Sequence, residues 1–383
     1  MLSYRVYPSF SNYCRVLTAA LSLLLLPLPG VSQQSGTPEP VDSWLEIVRQ
    51  TPYSASQGVA ANLATIRRWV LLGDSYCNEP QRHILFDRRG RFLAYIEDAE
   101  NAETTNDRLN EARKRQAIAQ QVDYWSPGSS SSFGYPFALS CHQPFADMDE
   151  AIARMVGTDE DYRLWGSWDG MRVGDAASQV ALVTMIREVY EHRREQGRFS
   201  FPDSVMPSFL GKTMIESGGQ KHALSAQAAR GIMQLRPGVL DDCEIPEEFR
   251  LHRMAQVDCA LRLIEQNHRN LEAPFNELFG KLPEDKRRVL YGLLLTQAYQ
   301  IGLGRTIELL QDEELGRAAA YFAANSDRFS AEDIQVGMIY HNLGRRDIGL
   351  RTLYYVTDTR LAGEALCVSS VLQNDAWCET GSE

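Results

Sequence analysis

Along most of the chain, apolar residues recur three and four positions apart, the spacing of a helix face. Residues 44–70 show it through Leu45, Val48, Val59, Leu63, Ile66 and Val70, and residues 176–196 show it again before Gly197. From Phe201 onward the pattern is helical to the end, clearest over 258–268, 287–300, 306–311, 315–325 and 331–343. A polar helix is expected over 106–122. One segment breaks the period: in HILFDRRGRFLAYIE, two alternating runs flank Asp87-Arg88-Arg89-Gly90, a β-hairpin signal. The expected fold is therefore mainly α, with a small β-hairpin in the N-terminal part.

The first 32 residues differ in kind. They hold Arg5 and Arg15, no acid, and an apolar run from Val16 to Leu28 broken by Pro27. That run falls short of the about 20 residues a spanning helix needs, and Gly30-Val31-Ser32 suits signal peptidase. Residues 1–32 read as a cleaved secretory signal, with no integral membrane span. Cleavage removes two positive charges, taking the net charge from -11 to -13. Such an acidic chain is a poor match for nucleic acid or an anionic membrane, which both reward Lys/Arg excess.

Of seven cysteines, Cys14 leaves with the signal and six remain. In an exported protein these are expected as disulfides. Closeness in sequence favours Cys243–Cys259 and Cys367–Cys378, which leaves Cys77–Cys141. Cys243, His252, Cys259 and His268 lack the close pair of a zinc site, so no metal or cofactor is expected.

The chemistry concentrates in MIESGGQKHALSAQAARGIMQLRPG, residues 214–238, whose one acid is Glu216. Pro202 and Pro207 suit a helix start. Val205, Met206, Phe209, Leu210 and Met214 supply its apolar face, and Gly218-Gly219 stops it. Glu216 then occupies the last turn, the unfavourable end of the helix dipole for an anion. Two roles fit that position: a solvated helix end, or an acid held in a cleft for use.

The surrounding residues resemble the soluble-type lytic transglycosylases. Glu216-Ser217, then Ser225, then Ala229-Arg230-Gly231-Ile232-Met233-Gln234 follow that family's Glu-Ser and Gly-Leu-Met-Gln blocks. Nine positions separate Glu216 from Ser225 and nine more lead to Gln234. A second block, Ala298-Tyr299-Gln300 followed by Gly302 and Gly304, is similar to the family's Ala-Tyr-Asn. The likeness covers about residues 201–312, between an N-terminal α+β region (33–200) of unknown role and a C-terminal helical extension (313–383). Three positions depart from the family: Ala228 for Gly, Gly219 for a bulky residue, and Gln300 for Asn.

The resemblance implies a lysozyme-like helical domain in the periplasm, acting on the MurNAc–GlcNAc bond of peptidoglycan glycan strands. Glu216 would be acid and then base, with Tyr299 orienting it. Ser217, Met233, Gln234 and Gln300 would line the sugar sites, and Gly219 would leave room beside the carboxylate. Ser225 and Gly231 would shape the turn. A hydrolysing muramidase and a non-catalytic peptidoglycan-binding scaffold are the alternatives. In the N-terminal region, Trp125, Trp165 and Trp168 could stack on sugar, and Asp169 could be a second carboxylate.

Overall fold

The computed structural model describes residues 59–72, 81–87, 92–119, 122, 124–130, 134–140, 147–225, 227–369, 372 and 375–378. The expected signal segment, residues 44–58 of the first helix, and the pair Cys77–Cys141 lie outside them. The described residues all belong to one compact unit.

The chain is mainly helical with a small antiparallel sheet. Its first part contains α1 (Val59–Leu71), β1 (Arg82–Phe86), β2 (Phe92–Glu97), α2 (Ala102–Ile118) and β3 (Phe137–Ser140). The hairpin β1–β2 forms as its alternation predicts. A third strand, β3, joins the other edge of β1, with His83 opposite Ser140. Four residues, FALS, are too few to announce a strand by alternation, and β3 was not anticipated. Side chains alternate between the sheet's faces. Ile84, Phe86, Phe137 and Leu139 join a core with α1 and the C-terminal helices, while Leu85 and Ala138 meet Leu109 and Ala112 of α2. Helix α2 starts four residues before the expected 106, because the Asn101 side chain accepts the Thr104 N–H at 2.9 Å and caps it there.

Next come α3 (Met148–Val156), the two-stranded pair β4 (Gly166–Trp168) and β5 (Met171–Val173), and α4 (Leu182–Glu195). Helix α4 begins later than its apolar spacing suggests. The Asp175 carboxylate accepts the Ala177 and Ser178 N–H groups at 2.9 and 2.8 Å, and Val180 bridges to Leu164. Such local side-chain bonds compete with the helix.

The remainder is α5 (Met206–Ser217), α6 (Pro237–Asp242), α7 (Arg253–Phe279), α8 (Glu284–Ile301), α9 (Leu303–Gln311), α10 (Arg317–Ala324), α11 (Ala331–His341) and α12 (Leu350–Cys367). All five helical windows fall on these elements. The long α12 was not among them. It buries Leu353 and Val356 but also Thr352, Thr357, Asp358 and Thr359, so no polar face marks it.

One core cluster runs from Ala64 to Trp377, across both residue 200 and residue 312. Within it α12 lies directly on α5. A Cβ on Gly211 would stand 1.9 Å from the Thr359 carbonyl oxygen, and one on Gly363 would stand 2.5 Å from that of Pro207. Only glycine lets the two backbones approach so closely. Disulfides Cys243–Cys259 and Cys367–Cys378 are both present, with Cα separations of 5.7 and 5.4 Å. Two buried ion pairs tie distant helices: Arg67 of α1 to Asp358 of α12, and Arg193 of α4 to Asp258 of α7.

Candidate active site

Helix α5 ends as its glycines predict. Gly218 is left-handed (φ 59°), and its N–H donates to the Met214 carbonyl at 2.7 Å. Arg154 of α3 donates to the Gly218 carbonyl at 3.2 Å, placing a cation at the helix's negative end. The N-terminal region thus fixes the terminus that carries Glu216.

The turn beyond is held by its own polar groups. Ser225 Oγ accepts the Gln227 and Ala229 N–H groups at 3.2 and 3.0 Å. Ala228 keeps a left-handed backbone (φ 60°) where the resemblance has glycine. At Gly231 (φ 69°) a Cβ would stand 2.1 Å from Gln256 Nε2, whose amide donates to the Arg230 and Arg250 carbonyls. Gln234 is itself left-handed (φ 46°), and its Nε2 donates to the carbonyls of Ala223 and Gly231 at 3.1 and 2.9 Å. Its amide nitrogen thus holds the turn.

These elements enclose a cleft of about 570 Å³ between α5, the turn, α7 and the end of α8. Glu216, Gln234, Tyr299 and Gln300 all line it, together with Asn267 and Gly302. Glu216 is the one acid among its described lining residues. Gln300 Oε1 is buried with no hydrogen-bond partner among the described residues, an acceptor without a donor.

The environment of Glu216 is more polar than Met214 and Ile215 suggest. Its Oε1 accepts a hydrogen bond from the Tyr355 hydroxyl at 2.8 Å. The Lys212 ammonium, one turn earlier on α5, stands 3.5 Å from the same oxygen. That ammonium also lies 3.5 Å from the centre of the Tyr299 ring. Burial lowers the Lys212 pKa to about 8, with the Glu216 charge acting in the opposite direction. Burial pushes the Tyr299 and Tyr355 hydroxyls well above the usual tyrosine range, helped by the Glu216 charge.

The structure brings together Glu216, Tyr299, Gln234 and Gln300 and sets the other expected residues apart. The orienting hydroxyl comes from Tyr355, not Tyr299. The Tyr299 hydroxyl is buried without a hydrogen-bond partner among the described residues, and its ring lies against the Lys212 ammonium. Ser217 and Met233, expected along the sugar sites, are fully buried behind the cleft. Ser217 Oγ donates to the Ile232 carbonyl at 2.8 Å, and Met233 Sδ accepts from the Thr213 hydroxyl. Gly219 does not open the cleft. It packs against Leu182 and Arg154, with room for a Cβ only at 3.3 and 3.4 Å. Asp169 is held by Arg193 at 2.6 Å, which lowers its pKa. Trp168 donates to Asp258 at 3.0 Å, whereas Trp165 is exposed. His252 caps α7 and His268 bonds the Tyr291 hydroxyl, each used away from the cysteines.

Sequence reasoning missed Lys212 and Tyr355. Lys212 was legible as the residue four before Glu216 on an otherwise apolar helix. Tyr355, Thr359 and Gly363 fall four apart on one face of α12, and an interior helical glycine costs about 1 kcal/mol against alanine. That spacing signals a close helix contact but not its partner. No protein-family model, curated protein or solved structure matches this chain.

Proposed function

We propose that this chain is a peptidoglycan lytic transglycosylase with a lysozyme-like catalytic region, and that Glu216 is its acid and base. The observation that carries the reading is a single carboxylate, among the described lining residues, set in a cleft of about 570 Å³ beside two glutamine side chains. Two-carboxylate glycosidases hold their pair roughly 5–9.5 Å apart across the sugar. Here the acid considered as a second, Asp169, is occupied by Arg193. One carboxylate suffices when the substrate's own N-acetyl group takes the place of the other.

In the proposed reaction Glu216 gives its proton to the glycosidic oxygen, the C1–O bond breaks, and the MurNAc acetamido oxygen bonds C1. The carboxylate then takes the C6 hydroxyl proton as O6 displaces the acetamido oxygen, leaving a 1,6-anhydro ring. Gln300 Oε1 and the Gln234 carbonyl oxygen would accept from sugar N–H or O–H groups, and no cofactor enters. A periplasmic location belongs to the same reading. Its supports are the leader-like residues 1–32 and the two disulfides. No described helix is long and apolar enough to cross a membrane.

The test is digestion of purified peptidoglycan with wild-type and Glu216→Gln protein, followed by mass spectrometry. Expected are anhydro-muramic products from wild type and a loss of about a hundredfold or more in the variant. Reducing ends without anhydro-muramic acid would instead identify a muramidase. Release by neither protein, with the chain still retained on the peptidoglycan, would favour a binding protein, and equal release by both would overturn the role of Glu216.

A further inference from the structure

Lys212 has no evident structural reason to be a lysine. Its side chain is 1 % exposed, and its ammonium makes no hydrogen bond among the described residues. Burying a charge is costly unless it is compensated. Methionine would fill a similar volume without that cost. Helix stability offers no explanation, because lysine four residues before glutamate is the weaker order of that pair. What distinguishes the position is its neighbours. The ammonium is wedged between Glu216 Oε1 and the Tyr299 ring, 3.5 Å from each, on the inner wall behind the acid that lines the cleft.

We propose that Lys212 is a positioning residue for Glu216: a fixed, buried ammonium that, with the Tyr355 hydroxyl, holds Oε1, leaves Oε2 to the cleft, and offsets the charge Glu216 acquires on giving up its proton. The inference rests on the acid–base reading above. In the first step the proton passes from Oε2 to the glycosidic oxygen, and Glu216 goes from neutral to negative. A cation already in place meets that charge without reorganising. In the second step the C6 hydroxyl proton returns to Glu216 and the charge disappears. The titratable groups facing the ammonium are Glu216 on its own helix and Tyr299 on α8, and Tyr355 of α12 bonds the same Glu216 oxygen. Both phenols stay neutral, since burial raises them well above their usual range. Asp358, also on α12, is engaged by Arg67. With burial drawing it down to about 8, Lys212 is charged at neutral pH and discharges just above it.

The experiment compares wild type with Lys212→Met in the full chain, on peptidoglycan. Expected is a fall in kcat of about tenfold or more with KM changed by less than about twofold, the pattern of a lost transition-state interaction. An unchanged kcat, or a change in KM alone, would overturn the proposal. A second arm needs no activity. With 13C at lysine Cε, the Lys212 titration followed by NMR should move down by about one pH unit or more in Glu216→Gln. An unmoved midpoint overturns the proposal even if the enzyme is active. Absence of anhydro products from wild type defeats the transglycosylase reading, while the NMR arm still decides whether the two groups are coupled.

Discussion

Replacing Gly211 by alanine adds one methyl group to the helix that carries Glu216. The new Cβ would stand 1.9 Å from the Thr359 carbonyl oxygen and 2.6 Å from the Gly363 amide nitrogen, both backbone atoms of α12. Close C···O contacts in proteins begin at about 3.3 Å. No side-chain rotation relieves such an approach, so α5 and α12 must part by roughly 1 Å or more. Two effects oppose each other. Alanine is the better helix former by about 1 kcal/mol. Overpacking costs about 1–3 kcal/mol, and a gap of about 1 Å forfeits up to half the dispersion energy across a contact. Because α5 and α12 form the most extensive helix pair of the fold, the packing loss should win by roughly 2 kcal/mol. The same displacement draws the Tyr355 hydroxyl away from Glu216, now 2.8 Å distant, so activity should fall as well. Urea unfolding followed by tryptophan fluorescence measures the first effect, and muropeptide release by the folded variant measures the second. A variant as stable as wild type, or more so, would refute the reasoning, because helix propensity alone would then have decided the outcome.

Four further expectations follow from other contacts. Tyr355→Phe removes only the hydroxyl on Glu216; a hydrogen bond to a charged group contributes about 1.5–3 kcal/mol, so kcat should drop about tenfold or more, and full activity would show that the contact is idle. Ala228→Gly relieves a left-handed alanine and should stabilise by about 1 kcal/mol in denaturant titrations; any destabilisation contradicts it. Arg193→Met strands Asp258, 2 % exposed, without its bidentate partner at 2.8 and 2.9 Å, and should cost about 3–5 kcal/mol. The double change with Asp258→Leu should recover much of that loss, and a single variant within about 1 kcal/mol of wild type would show that the buried carboxylate does not depend on Arg193. Finally, burial lowers Lys212 to about 8 in the folded chain. Between there and the ordinary lysine value of about 10.4 the unfolded chain binds the extra proton, so this group's contribution to stability rises with pH and is flat below the window. Unfolding at about pH 7 and about pH 10 should show that rise in wild type relative to Lys212→Met, and an unchanged or falling difference would contradict it.

The turn around Glu216 was legible because its determinants are local. A glycine pair ends a helix by its own backbone freedom, and Ser225 and Gln234 bond atoms within a few residues of themselves, whereas Gly231 answers to Gln256 on α7. Helices with one polar face were legible for the same reason, as were the two short-range disulfides. Helix α12 was not singled out, because burial on nearly every side leaves no polar stripe to read. The strand β3 escaped for want of length.

The sequence alone determined that Glu216 stands at a helix terminus, beside a turn that can carry Gln234, with Tyr299 and Gln300 on a later helix. Tertiary structure decided which groups touch the carboxylate. Tyr355 reaches it from 139 residues away because Gly211 and Gly363 let two helix backbones meet. Lys212 is buried on the same helix, with its ammonium against the Tyr299 ring. Ser217 and Met233 turned inward although Glu216 and Gln234, their neighbours on the same helix and turn, line the cleft: burial is set by what packs against a side chain, and that is not written in its neighbours along the chain.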